Sequence, residues 1–216
     1  MKSIRLPKCH KCLWLIFLAV SLMACSDNLR NGDLVFQTND SSDFTDAIVS
    51  STDRDGLSFS HVGIVYSSDT GQYIIEATTK HGVVATAIND FLDDSAHDKK
   101  GHPLVRFYRI KISQDLADKA VKRALSFIGK PYDFAFSPGT ESIYCSELVY
   151  ESYIDEKGRH IFTTQPMNFR DAEGNLPPYW IEHFEKLGIA IPENEDGTNP
   201  NDMANSDMIE ALRTRF

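Results

Sequence analysis

The chain predicts an α+β domain, an antiparallel sheet packed against helices. Three observations carry this. Runs rich in β-formers are grouped in the first half of the chain. The clearest helical periodicities lie in the second half. Two of the β-rich runs are joined by a short polar turn that makes them a hairpin. Strands grouped before helices point to an α+β arrangement.

In order, Gly32-Asp33-Leu34-Val35-Phe36 follows a turn signal and reads as a short strand. Ser42 to Ser51 reads as a short helix capped by Ser42, with Phe44, Ala47 and Ile48 on one side. His61–Tyr66 and Gln72–Thr78 are strands joined by Ser67-Ser68-Asp69-Thr70-Gly71, a strong turn composition. Val83–Ile88 and Leu104–Ile112 add two more strands, separated by a polar loop from Asp93 to His102.

The clearest helix covers Gln114–Ile128, where Leu116, Ala117, Ala120, Val121, Ala124, Leu125 and Ile128 recur on one face. Ser113 is its N-cap; Gly129 and Pro131 stop it. A second helix is expected over Tyr144–Glu156 and a third over Pro178–Leu187, which carries Trp180, Ile181 and Phe184. From Pro192 the chain turns polar, so residues 192–216 read as a loose tail with a short helix at Asp207–Arg213.

The first 24 residues have the character of a signal peptide. Lys2, Arg5, Lys8 and Lys11 precede an apolar run, Leu13 to Ala24, that ends in small residues. Twelve residues fall short of the roughly 20 needed to span a bilayer. Leu22-Met23-Ala24-Cys25 resembles a bacterial lipobox, so Cys25 is expected to carry the lipid, with residues 25–30 as a linker. Several acyl chains on one residue would anchor durably, where one binds only marginally. Ser26 after the cysteine favours the outer membrane, with the protein facing the periplasm. Cys9-His10-Lys11-Cys12, inside the basic leader, is given no function, and no metal site or cofactor is read elsewhere.

The leader holds four of the 22 basic residues and none of the 31 acidic ones, leaving a mature charge of −13. That excludes nucleic acid as a natural partner and any electrostatic hold on anionic lipid. The remaining 192 residues suffice for one domain with a sizeable core. Nothing in the pattern assigns an oligomeric state.

Cys145 is then the sole cysteine left for chemistry, in a compartment where cysteines normally pair as disulfides. It opens a predicted helix, where the N-terminal end favours the thiolate. Of the six histidines after the leader, His97, His102 and His160 lie in polar loops and His183 on an amphipathic helix. His61 is different, because its strand can hold it beside an acid. A hairpin centred on Ser68–Asp69 sets His61 directly opposite Glu76, on one face with Gly63. A one-residue slip would separate them. Tyr132 either packs under the cysteine helix or donates its hydroxyl to an oxyanion beside the Cys145 N–H.

Gly32–Phe36, Ser60–Val65, Ile75-Glu76-Ala77, Gly129-Lys130-Pro131-Tyr132-Asp133 and Tyr144–Val149 resemble, in this order, the permuted papain-like amidases of the YiiX/YaeF type, relatives of NlpC-type cell-wall peptidases. The similarity covers Asn31 to Leu187, and sets the hydrolase domain at residues 31–191. It implies a papain-like fold with the histidine ahead of the cysteine. It also implies Cys145 as nucleophile, His61 as base and then acid, and Glu76 as the orienting third member, acting through a thioester. An amide in a cell-wall peptide or an N-acyl amino compound is the implied substrate. Two other readings stand beside it: a lipid esterase, thioesterase or acyltransferase resembling lecithin:retinol acyltransferase, and a non-catalytic binding module.

Overall fold

The structure, a computed structural model, describes residues 27–53 and 58–214. The expected signal peptide and Cys25 lie outside the described residues. No helix among those described is long and apolar enough to cross a membrane.

The strands are β1 (Leu34–Gln37), β2 (His61–Ser68), β3 (Gly71–Thr78), β4 (Gly82–Ala87), β5 (Val105–Ile110), β6 (Gln165–Pro166), β7 (Asp196–Gly197) and β8 (Ile209–Ala211). The helices are α1 (Asp43–Thr52), α2 (Ile88–Asp93), α3 (Gln114–Ser126), α4 (Cys145–Ser152), α5 (Pro178–Leu187) and α6 (Pro200–Ala204). Six strands form one antiparallel sheet in the order β4-β3-β2-β1-β5-β8, and β6 pairs with β7 separately. The α+β expectation holds.

Period-two alternation divides the sheet between two apolar layers. Leu34, Phe36, Val62, Ile64 and Ile75 pack with α3 and α4 through Ala120, Val121, Leu148 and Val149. Val35, Val65, Ile74 and Phe107 turn the other way, against Phe91 and Leu92 of α2. A third cluster, Ala47, Phe169, Trp180 and Phe184, joins α1 to α5. The Ser113 hydroxyl accepts the Leu116 N–H and starts α3 where expected.

Four features differ from the sequence expectation. The short helix α2 was not foreseen; it begins where the β4 pattern ends. The cysteine helix stops at Ser152 rather than Glu156, because Tyr153 is fully buried and its hydroxyl donates to the Gly32 carbonyl at 2.7 Å. The hairpin turns at Asp69-Thr70, with Ser68 paired to Gly71, one residue later than its expected centre.

The largest correction concerns residues 192–216. They are not a loose tail, and no helix forms at Asp207–Arg213. The segment supplies β7, α6 and β8, and β8 completes the main sheet beside β5. Asn201, fully buried, anchors it: its side chain accepts the Phe59 N–H at 2.8 Å and donates to the Phe59 carbonyl and to Thr52 Oγ1. The folded unit therefore runs past residue 191, as far as Arg213. There Asp27 N–H donates to the Arg213 carbonyl and Arg213 N–H to the Asp27 carboxylate, each at 2.8 Å.

Candidate active site

Cys145 is the first residue of α4, preceded by the extended Tyr144. The Glu147 carboxylate accepts the Tyr144 N–H at 3.4 Å, one turn back, and caps the helix. Burial pushes the Glu147 carboxyl up to about 8, against one lowering contribution from that hydrogen bond. Leu148 and Val149, with no exposed surface, fix the helix against the sheet. The thiol is free and buried. Among the described residues the Cys145 backbone N–H makes no hydrogen bond, as expected of the first turn of a helix.

His61 is the first residue of β2 and sits beside Gln37 of β1 in the ladder. Its Nε2 lies 2.6 Å from Glu76 Oε2. Nε2–H therefore donates to the carboxylate, which leaves Nδ1 for the thiol. The other carboxylate oxygen of Glu76 accepts the Thr86 hydroxyl of β4. Burial works against a charged His61 ring, yet hydrogen bonds to Cys145 and Glu76, and their negative charge, raise it from 6.5 to about 10.

The structure thus brings together the three residues that sequence reasoning paired, by a different register. The β2–β3 ladder ends at Ile64–Ile75; continued, it sets Gly63 against Glu76 and His61 against Thr78. His61 and Glu76 are diagonal neighbours, not opposed ones. The two-residue change preserves parity, so both stay on one face. Diagonal positions lie about 7–8 Å apart at the backbone, within reach of long side chains.

Tyr132 is buried, and its phenol is pushed well above its ordinary value by burial and then by the Cys145 charge. Its ring meets Phe44 and Phe134, so the packing role is real. Its hydroxyl makes no hydrogen bond among the described residues, so it is also free to donate. Just beyond it, Phe136 adopts a positive φ of 53°, uncommon for a non-glycine. The buried Asp133 carboxylate holds that turn by accepting the N–H groups of Ala135 and Ser137 on either side.

Two open cavities flank the pair. One, of about 590 Å³, has Cys145 on its wall with Ile48, Phe136, Met167, Phe169 and Trp180. The other, of about 850 Å³, has His61 and Glu76 on its wall with Asn39, Thr79 and Asp94. Ile48, Ser60 and Tyr132 belong to both. Gly197 and Thr198 of the corrected C-terminal segment wall the first cavity, and the Thr198 N–H donates to Tyr144 Oη at 3.1 Å.

Sequence reasoning missed Thr86 and Thr198. Thr86 lies on a strand with an expected alternation, but its partner depended on a register not yet known. Thr198 lay within the supposed tail. Two of the remaining histidines have other roles: His183 bonds the Phe134 carbonyl at 2.7 Å, and His160 stacks on Tyr150 at 3.8 Å. Among the described residues no three His, Cys, Asp or Glu side chains gather as a metal site.

The family model for the permuted papain-like amidase enzymes YaeF/YiiX matches residues 28–213. The uncharacterized protein YiiX of Escherichia coli is 30% identical over 188 residues, 87% of this chain and 88% of that protein. The crystal structure of the metalloprotein yiiX from Escherichia coli O157 superposes with a TM-score of 0.69 at 22% identity, covering 87% of this chain and 98% of that one.

Proposed function

This chain belongs to the permuted papain-like amidase family YaeF/YiiX and is a cysteine hydrolase, and from that premise we propose that it cleaves the amide of an N-acyl amino compound through Cys145, His61 and Glu76. The observation that carries the reading is the Glu76–His61 hydrogen bond at 2.6 Å, which commits one ring nitrogen and leaves the other for the thiol. A raised His61 favours an imidazolium beside a thiolate in the resting enzyme.

The sulfur attacks the carbonyl carbon. The carbonyl oxygen becomes an oxyanion, for which the Cys145 N–H and the Tyr132 hydroxyl are the available donors. His61 passes its proton to the leaving nitrogen, the C–N bond breaks, and a thioester remains. Water then gives a proton to His61 and adds to the thioester carbon. The C–S bond breaks, releasing acid and restoring the ion pair. Glu76 holds the ring in the required tautomer throughout.

The apolar wall beside Cys145 supports an apolar acyl group, and for that reason an N-acyl amino compound fits better than a cell-wall peptide. The same wall favours the second reading, lipid ester or thioester cleavage or acyl transfer as in lecithin:retinol acyltransferase. We place the enzyme as a lipoprotein held by Cys25 at the outer membrane and facing the periplasm, a reading supported by the leader motif.

The test is acyl-enzyme trapping. Muropeptides, N-acyl amino acids, N-acyl amino alcohols and phospholipids are each incubated with the protein, and the adduct is weighed by mass spectrometry. An adduct on Cys145 that is absent from Cys145→Ala, and formed orders of magnitude more slowly by His61→Ala, supports the triad. Undiminished labelling of Cys145→Ala, with Cys25 accounted for, refutes it.

A further inference from the structure

In any acylation by Cys145, the departing nitrogen must receive its proton from His61. The leaving amine therefore exits on the His61 side, into the 850 Å³ cavity, while the acyl group stays beside the thiol. The two cavities differ in chemistry. The Cys145 side is predominantly apolar; the His61 side is mixed, its polar groups set beside Phe44, Ile48, Phe91 and Tyr132.

Among the described residues on the His61 side, the side chains with uncommitted hydrogen-bonding capacity include Asn39, Thr79 and Asp94. Asn39 accepts the Ser60 hydroxyl through Oδ1, which leaves its amide NH2 free. The Thr79 hydroxyl and the Asp94 carboxylate make no side-chain hydrogen bond. No Lys or Arg among the described residues lines either cavity. Once His61 has given its proton to the leaving nitrogen, a carboxylate on the amine would meet Asp94 and Glu76 with no cation among the lining residues to offset them. A hydroxyl or ammonium would meet acceptors.

Resting on the Cys145–His61–Glu76 reading above, we infer that the cavity lined by His61, Asn39, Thr79 and Asp94 is a leaving-group subsite for an amine whose far end donates hydrogen bonds and carries no negative charge. Amino alcohols and diamines belong to this class; α-amino acids do not. Asp94 is the residue that selects a cationic end.

The subsite can be read apart from the acyl group, because an amine that attacks the thioester occupies the position a leaving amine vacates. A nitrophenyl ester of a short straight-chain acid loads Cys145, with the burst of nitrophenol reporting the acyl-enzyme. Ethanolamine, 1,3-diaminopropane and glycine are then compared as acceptors at equal free-amine concentration. The amine nitrogen bonds to the acyl carbon, the C–S bond breaks, and the amine proton returns to His61. Both donor-ended amines should outcompete glycine by about tenfold, the factor worth one modest charge interaction. Asp94→Asn should lower the diamine-to-ethanolamine ratio about threefold to fivefold, as for a partly exposed charge pair. A burst with glycine transferred as readily as the other two overturns the subsite alone. No burst from the wild type, beyond that of Cys145→Ala, overturns the triad reading and this one with it.

Discussion

His61 and Glu76 meet on a diagonal across the bare α-carbon of Gly63, with Nε2 2.6 Å from Oε2. A Cβ on Gly63 would lie 2.3 Å from Ile74 Cγ2 and 3.5 Å from Glu76 Cβ. Ile74 has no exposed surface and little room to yield.

Gly63→Ala should therefore lose about 1–3 kcal/mol of stability, as overpacking does. Activity should fall as well, because the Glu76 strand is displaced. Denaturant unfolding together with kcat/KM checks this. An alanine variant with wild-type values on both counts would show that the diagonal has slack.

Thr86 donates to the Glu76 oxygen that His61 does not use. Thr86→Val keeps shape and removes the hydroxyl; it should lower kcat roughly tenfold, matching a charge-assisted hydrogen bond of about 1.5 kcal/mol. Thr86→Ser should restore most of it. Equal rates for the valine and serine variants would leave Glu76 positioned by His61 alone.

The hairpin, α3 and the Cys145 helix start were legible because each is a local pattern: alternation, helical period, cap and stop. The register was not. Asp69-Thr70 and Ser68-Asp69 are both acceptable turn centres, and only packing against β1 and β4 selects between them. The C-terminal segment misled for another reason. Composition treats Asn201 as solvent-seeking, whereas its amide is fully satisfied by Phe59 and Thr52, so it sits in the core at no hydrogen-bonding loss. His61 and Glu76 stayed on one face despite the register error because the difference was even-numbered.

His61 should give stability a measurable pH dependence. Its pKa rises from 6.5 to about 10 on folding. The folded state thus holds the proton more tightly, so the contribution is complete below 6.5 and declines as pH rises to about 10. His61→Gln should flatten the fall in melting temperature over that window. In kinetics, kcat/KM should decline on the alkaline side as the imidazolium is lost, and Glu76→Gln should move that limb to lower pH. A limb unmoved by Glu76→Gln would detach the carboxylate from the ring.

Glu147 offers a separate measurement away from the reacting atoms. Burial raises its carboxyl from 4.5 to about 8, so the folded state favours the protonated form. The resulting stability is complete below 4.5 and is lost as pH rises through about 8. Glu147→Gln keeps an acceptor for the Tyr144 N–H and cannot ionise. It should gain about 1–2 kcal/mol over wild type at alkaline pH and nothing in acid. Parallel stability curves for the two proteins would contradict the assignment.

The bonds between Asp27 and Arg213 bring the two ends of the folded unit side by side. A short splice there would close the polypeptide into a ring without disturbing a strand, and a new cut at the exposed Pro138–Gly139 would then start the chain just ahead of Cys145. Such a rearranged protein would read cysteine first and histidine later, the order of papain itself. The shuffled gene order of this family therefore asks little of the architecture beyond a change in where translation begins.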